Sequence, residues 1–145
     1  MHYLTGHEES QAQQYLEQAQ SIAQFSTCLR SKCGSVIVQD NQIIGRGFNS
    51  PPQNIPLEQC IKDNLPHDFK SDKTCCLHAE QRAIIDAIIN HPAKLPGSRL
   101  YFIRIDENNN KLYADKPYCT ICSKMTLDTN ISEFVLWYQD RNLRL

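Results

Sequence analysis

The sequence predicts a three-layer α/β sandwich, in which helices cover both faces of a mixed β-sheet. Along the chain, helical and strand periodicities follow one another in the order helix, strand, strand, helix, strand, helix, strand. The two strand–helix–strand units are crossovers, so part of the sheet is parallel and its faces need helical cover. The 145 residues, 41% of them hydrophobic, suit one domain over 1–145 with a single core.

The first helix is predicted over residues 8–25, where apolar residues recur at spacings of three and four. These residues are Ala12, Leu16, Ala19, Ile22 and Ala23. The opposite face of this helix is rich in glutamine, so we expect its apolar stripe to pack on the sheet.

A hairpin is predicted next, because Ser35–Val38 and Ile43–Phe48 are short runs of β-branched and apolar residues. Asp40-Asn41 between them favours a tight turn. Gly45 and Gly47 in the second strand indicate a bulge or a close approach of another backbone.

The remaining elements follow a long polar segment over residues 49–74, whose prolines exclude a long helix or a central strand. These prolines are Pro51, Pro52, Pro56 and Pro66. Helical spacing resumes at Cys76 and ends at His91-Pro92, and a strand is predicted over 99–105. The last two elements are a helix from near Cys119 to near Asn130 and a strand over 133–138.

Composition narrows the possible partners of the chain. The formal net charge is −1 and the 15 lysines and arginines are dispersed, which argues against a nucleic-acid partner and favours a small-molecule substrate. No apolar leader follows Met1, and no apolar run approaches the roughly 20 residues of a membrane span. We therefore expect a cytoplasmic protein without a membrane partner, whose seven cysteines are reduced thiols, several of them on metal.

The chemistry of the chain is concentrated in His78-Ala79-Glu80 and in the later pair Cys119 and Cys122. One imidazole and two thiolates are three zinc ligands, and a tetrahedral zinc with three protein ligands keeps its fourth position for water. Glu80 is then a free carboxylate for general acid and base catalysis. This order, H-x-E before C-x-x-C, is typical of zinc deaminases that act on cytosine or adenine.

The spacing also predicts where these residues lie. Positions two apart in a helix point about 200° away from each other, so His78 and Glu80 can serve one site only from the first turn of a helix. Cys119 and Cys122 share one helix face near a positively polarised N-terminus, which favours thiolates. Each motif alone also has a purely structural explanation. His78 can be an ordinary polar residue of a helix, and Cys119 and Cys122 can be a buried pair that packs as apolar side chains.

The flanking sequence resembles the cytidine and deoxycytidylate deaminase superfamily, and within it the deoxycytidylate branch. Two stretches carry the resemblance, Ser26–Val38 and Ile43–Pro52. The second is similar to a stretch of that branch that ends in the pattern G-Y-N-G-x-P. It implies a cytidine deaminase-like fold and hydrolysis of the amine of a cytosine nucleotide such as dCMP, with release of ammonia. It also implies that Asn49 binds sugar or base, that Ala79 offers a backbone group to the cytosine edge, and that the proline-rich loop helps to hold a 5′-phosphate.

Two further expectations follow from the resemblance alone. Relatives assemble through their metal-bearing helices, so we expect a homo-oligomer. Some deoxycytidylate deaminases carry a second, structural zinc, for which Cys28, Cys60, His67 and Cys75 would be the ligands in this chain.

Three alternatives remain open from the sequence. The chain can be a deaminase of another substrate, such as cytidine, a purine or an adenosine in tRNA. It can be a non-catalytic zinc-binding module in which Glu80 is idle. It can also use a cysteine nucleophile with His78 as its base, although this leaves the pairing of Cys119 with Cys122 unexplained.

Overall fold

A computed structural model gives the fold and describes residues 2–66, 75–114, 116–117, 119–138 and, for the backbone, 141–144. Within these ranges the chain forms three α-helices and a seven-stranded sheet. The helices are α1 (Gly6–Ala23), α2 (Ala79–Asn90) and α3 (Thr120–Asp128). The strands are β1 (His2–Tyr3), β2 (Lys32–Gln39), β3 (Gln42–Phe48), β4 (Arg99–Ile105), β5 (Lys111–Leu112), β6 (Glu133–Tyr138) and β7 (Arg141–Arg144).

The sheet is mixed, with the strand order β1-β7-β6-β4-β2-β3 and β5 paired to β4. Among the strands of the described residues, only β4 and β6 pair in parallel, and the other pairings are antiparallel. Strands β3 and β4 run in the same direction on either side of β2, so both α2 and α3 are crossovers between strands of one direction. This confirms the predicted alternation of helices and strands.

The hairpin between β2 and β3 has the predicted tight turn. Asp40 and Asn41 both have positive φ, at 51° and 60°, which matches the right-handed twist of the flanking strands. The pairing shifts between Ile37 and Val38, which leaves Ile44 as the extra residue of a β-bulge. The bulge lies beside Gly45, where the sequence predicted a bulge or a close approach.

Two hydrophobic clusters, one on each face of the sheet, define the three layers. Alternate residues of a strand face opposite sides, and accordingly Val36 and Tyr101 pack with α1. Their neighbours Ile37 and Leu100 pack with α2 on the opposite face. The three-layer sandwich predicted from the sequence is therefore the fold of the chain.

Three short strands, β1, β5 and β7, extend the sheet beyond the prediction. Two of them have only two residues, which is too few to show a periodicity. In the proline-rich segment the described part forms two 3-10 turns, Pro52–Asn54 and Ile61–Asn64. None of the helices in the described ranges combines the length and the apolar character that crossing a bilayer requires.

Candidate active site

The first side of the site is the N-terminus of α2. His78 is the N-cap residue in an extended conformation, and its backbone N–H donates to the side-chain oxygen of Gln81 at 2.9 Å. Glu80 lies in the first turn. Leu77, just before the helix, pairs with Ser50 through two backbone hydrogen bonds of 2.9 and 3.3 Å, which fixes the entry into α2. The predicted placement of His78 and Glu80 at a helix start is thus what the structure shows.

The second side is the N-terminus of α3. Cys119 is the N-cap residue, and its Sγ accepts the backbone N–H of Cys122 at 3.3 Å. The Sγ of Cys122 lies 3.3 Å from Nδ1 of His78, so the two helix ends meet. Both cysteines are buried, as expected for ligands of an enclosed centre.

These three side chains have the arrangement of a zinc site. Their ligand atoms all lie within 4.8 Å of one another, and no other such group of metal-binding side chains is found in the described residues. Zinc bonds of about 2.0–2.3 Å require ligand atoms roughly this close. His78, Cys119 and Cys122 therefore fit a zinc ion and leave one tetrahedral position for another ligand.

Glu80 adds a carboxyl group that is separate from the three ligands. It is 95% buried, with only 5% of its surface exposed. Burial raises its pKa to about 7, against hydrogen bonds from its own backbone and from Cys122. Burial and the Glu80 carboxylate in turn raise the pKa of the Cys122 thiol, so a cation at this site would displace protons from its ligands.

Asn49, the predicted substrate-binding residue, lies at the end of β3 and is 94% buried. Its side-chain oxygen accepts hydrogen bonds from the Ser26 hydroxyl and the Cys33 backbone N–H, both at 2.7 Å. Its amide nitrogen donates to the backbone oxygen of Ser31 at 2.8 Å. The next residue, Ser50, pairs with Leu77, so Asn49 is held close to the start of α2.

Ala79, the other predicted substrate contact, is the first residue of α2 and is fully buried. A side chain on Gly47 would overlap the Ala79 carbonyl oxygen, so β3 packs directly against the backbone of this first turn. This is the close approach that the two glycines of β3 predicted. The N–H of Ala79 is one of the first-turn amides that have no partner within the helix.

Comparison with known protein families identifies the family of the chain. The family described as "Cytidine and deoxycytidylate deaminase zinc-binding region" matches residues 9–138. The chain belongs to this family. The match includes the three proposed zinc ligands, Glu80 and Asn49.

Curated members of the family agree with this assignment. The deoxycytidylate deaminase of Saccharomyces cerevisiae is 30% identical over 126 residues, 83% of this chain, and that of Mycobacterium phage D29 is 30% identical over 129 residues, also 83% of this chain. The chain spans 35% of the length of the Saccharomyces protein and 35% of a Schizosaccharomyces pombe relative, but 89% of the phage protein.

Solved structures share the fold of this deaminase family member. The dCMP deaminase of cyanophage S-TIM5, solved in complex with dCMP and dUMP, has a TM-score of 0.63 at 23% identity, covering 90% of this chain and 82% of that one. Cytidine deaminase from Burkholderia pseudomallei has a TM-score of 0.61 at 15% identity, covering 97% and 92%. The predicted cytidine deaminase-like sandwich is confirmed.

A second group of thiols lies apart from the proposed zinc ligands. The Sγ of Cys75 is 3.8 Å from that of Cys60 and 3.9 Å from that of Cys76, and the Cys76 thiol also interacts with Cys28. These contacts link Cys28, Cys76, Cys75 and Cys60 in pairs, but no three of their sulfur atoms lie within 4.8 Å of one another in the described residues. The fourth predicted ligand, His67, lies outside the described residues.

The sequence predicted no role for Ser26 and Cys33, which hold the side chain of Asn49. Both lie in the stretch that carries the family resemblance, and this position in the sequence is the signal that could have identified them as functional. It also gave no role to Arg82, whose guanidinium donates to the backbone oxygen of Pro51 at 2.8 Å and lies 5.7 Å from the ring centre of Phe48. Arg82 thereby anchors the start of the proline-rich segment to α2.

Proposed function

We propose that this chain is a zinc-dependent hydrolytic deaminase that converts a cytosine nucleotide, with dCMP as the model substrate, to the uracil nucleotide and ammonia. The observation that carries the proposal is the convergence of His78, Cys119 and Cys122 at two helix N-termini with the buried carboxyl group of Glu80 beside them. The curated relatives, each named deoxycytidylate deaminase, support the choice of substrate.

The reaction replaces the exocyclic amine of cytosine by oxygen from water. Zinc held by His78, Cys119 and Cys122 would supply the positive charge that makes water nucleophilic near neutral pH. Glu80 would accept a proton from the attacking water and give it to the ring nitrogen, and it would then carry the second proton of that water to the departing amine. Because Glu80 is buried, these transfers would occur without exchange with bulk water.

Asn49 and Ala79 would orient the substrate. Asn49 is fixed by its three hydrogen-bond partners, so its side chain would present a preset amide edge to the sugar or base. The N–H of Ala79 would meet the cytosine edge from the helix start. Both groups belong to backbone-anchored elements, which restricts their movement.

The substrate is tested by a panel of nucleotides, nucleosides and bases scored for ammonia release. We expect dCMP to be the best substrate, ahead of CMP, deoxycytidine, cytidine, adenosine and guanine. If every cytosine compound is inert and a purine is deaminated, the proposed substrate is wrong and the deaminase chemistry is retained. The formal charge of −1 makes a tRNA substrate the weaker alternative.

The alternative of a different class is a zinc-binding module without catalysis. Glu80→Ala separates the two, because it removes the proton carrier but none of the three proposed ligands. We expect the variant to lose ammonia release by about 100-fold or more while it keeps its zinc. A parent protein that carries zinc and deaminates none of the panel would indicate the module.

The proposed structural zinc would be held by the second group of thiols. The pairwise contacts of Cys60 with Cys75, Cys75 with Cys76 and Cys76 with Cys28 support it, although the four sulfur atoms would have to move closer together to bind one ion. A closed four-ligand site would order a segment that has few apolar residues. All seven cysteines of the chain are free thiols, which supports a reducing, cytoplasmic setting.

We also propose that the chain forms a homo-oligomer through its metal-bearing helices. On α2, Ile85, Ile88 and Ile89 are 41%, 47% and 71% exposed, which is unusual for a run of isoleucines on one helix. Light scattering during gel filtration tests this, and Ile89→Lys is expected to shift the mass toward the monomer. A parent protein that elutes as a monomer would contradict it.

A further inference from the structure

Two side chains outside the proposed ligand set connect the two helices that carry it. Gln81 lies three positions after His78 in α2, and Met125 lies three positions after Cys122 in α3. Residues three apart share one face of a helix, and side chains lean toward the N-terminus of their helix. Gln81 and Met125 therefore extend toward the helix ends at which the proposed zinc ligands lie.

The oxygen end of the Gln81 side chain fixes the backbone of His78. This oxygen accepts the backbone N–H of His78 at 2.9 Å. Gln81 is the N3 residue of α2, so the bond belongs to a capping box, which gives an N–H at the helix start its partner. Gln81 thus holds the backbone from which a proposed ligand projects, without being a ligand itself.

The nitrogen end of the same side chain contacts α3. Nε2 of Gln81 donates to the Sδ atom of Met125 at an N–S distance of 3.9 Å. The thioether is a weak acceptor, but its position is set by packing. Met125 is half-buried and packs against the hydrophobic cluster that contains Ala83 and Ile84 of α2. One side chain, the Gln81 bridge, thereby runs from the N-cap of α2 to α3.

The bridge requires an amide at position 81. Glutamate also completes a capping box, but an ionised carboxylate only accepts hydrogen bonds and cannot donate to Met125. It would also place a second negative charge next to the buried carboxyl group of Glu80. Glutamine accepts at one end and donates at the other, and it carries no charge.

The proposed zinc ligands are divided between the two helix ends that the bridge connects. His78 belongs to the start of α2, and Cys119 and Cys122 belong to the start of α3. Their ligand atoms all lie within 4.8 Å of one another, and this spacing depends on how the two helix ends are placed. Groups behind the ligands commonly set the geometry of a metal site in this way.

We infer that Gln81 is a positioning residue for the proposed zinc centre, which acts by joining the start of α2 to α3 through Met125. The inference rests on the proposed function and adds to it a residue outside the ligand set that raises the affinity for zinc. Helix ends that are already joined need less ordering when the ion binds. Loss of the bridge should therefore weaken zinc binding although all three ligands remain.

A double-mutant cycle on zinc affinity, measured by competition with a chelator, tests the bridge. Met125→Leu removes the sulfur and keeps an apolar side chain of similar volume, whereas Gln81→Glu removes the donor and keeps the acceptor for His78. We expect Met125→Leu to weaken zinc binding by about 3- to 10-fold in the parent protein, but by less than about twofold in Gln81→Glu. Equal factors in the two backgrounds, or no weakening in the parent, would overturn the inference.

Gln11→Ala is the matched control for a general loss of stability. Gln11 is a glutamine of α1, and its Nε2 donates to the side-chain oxygen of Asn41 at 2.6 Å, so it also connects two elements. Helix α1 packs on the opposite face of the sheet from α2. The variant should keep the zinc affinity of the parent. If it weakens zinc binding as much as Met125→Leu does, the bridge has no specific effect and the inference fails.

Ammonia release separates this inference from the proposed reaction. At saturating zinc, Met125→Leu should deaminate dCMP with a kcat within about twofold of the parent, because the three ligands and Glu80 are unchanged. A kcat that stays low at saturating zinc would contradict a role in zinc affinity. A parent protein that shows the expected coupling but deaminates nothing supports the bridge and contradicts the proposed function. A parent that deaminates dCMP without any coupling has the opposite meaning.

Discussion

The Nδ1 atom of His78 lies 3.3 Å from the Sγ atom of Cys122, although 44 positions separate the two residues in the sequence. Each atom is carried by the first turn or N-cap of a different helix, and both helices cover the same face of the sheet. A zinc ion at this point would therefore join α2 to α3 as well as serve the reaction.

The first prediction concerns the dependence of the fold on this metal. Cys122→Ser is expected to lose zinc, because a hydroxyl is a far poorer ligand than a thiolate, and to lower the free energy of unfolding by about 3 kcal/mol or more. Elemental analysis and denaturant unfolding, with and without a chelator, measure both effects.

Cys33→Ser is the control for this variant, since Cys33 is a half-buried thiol near Glu80 but outside the ligand set. It should retain its zinc. If Cys122→Ser keeps a full equivalent of zinc, or if the chelator leaves the stability of the parent unchanged, the proposed metal centre is wrong.

The second prediction concerns the second group of thiols. With a structural zinc in addition to the catalytic one, the parent protein should contain two zinc ions per chain and Cys60→Ser only one. The Cys60→Ser protein should keep its catalytic zinc, since Cys60 is not one of the three ligands of that site. One zinc per chain in the parent would exclude the second site.

Much of this fold and site could be predicted because the decisive residues obey local rules. Gly45 and Gly47 in a strand indicated a close approach, and the backbone of α2 is what approaches. His78 and Glu80, two apart, could serve one site only from a helix start, and the helix begins at Ala79. Both predictions depend only on the spacing of residues along the chain, which can be read directly from the sequence.

The parts that were not predicted depend on contacts between distant segments. Strands β1 and β7 pair the two ends of the described chain, and neither segment is long enough to show its own periodicity. Likewise, Arg104 lies opposite Cys33 only because β2 and β4 pair in that register. A contact that depends on the register between two strands has no local pattern in the sequence.

The third prediction tests whether Asn49 contacts the substrate or only supports the backbone. Asn49→Ala leaves the Cys33 N–H without its acceptor, so we expect the free energy of unfolding to fall by about 1–3 kcal/mol. It should also lower kcat/KM for dCMP more than the lost fraction of folded protein explains.

Ser26→Ala is the matched control for Asn49→Ala. The Ser26 hydroxyl donates hydrogen bonds to Asn49, and we assign Ser26 no contact with the substrate. It should cost stability and leave kcat/KM of the folded protein within a small factor. Equal losses of activity in the two variants at equal folded fractions would assign Asn49 a purely structural role.

The last prediction concerns the contact between β3 and the start of α2. A Cβ atom on Gly47 would lie 2.8 Å from Cβ of Arg82 and would overlap the carbonyl oxygen of Ala79, so Gly47→Ala must push the first turn of α2 away from the sheet. We expect it to lower the free energy of unfolding by about 1–3 kcal/mol and to weaken zinc binding and activity, because His78 and Glu80 move with that turn.

Gly6→Ala provides the comparison for Gly47→Ala. A Cβ on Gly6 meets nothing within 4 Å, but the positive φ of 59° makes alanine unfavourable there by about 1–2 kcal/mol. Both variants are thus destabilised, and only Gly47→Ala displaces the helix start. Zinc content and kcat/KM, measured on folded protein, should therefore fall in Gly47→Ala and stay at the parent level in Gly6→Ala. If the two variants lose activity to the same extent, the packing of β3 against α2 does not position the site.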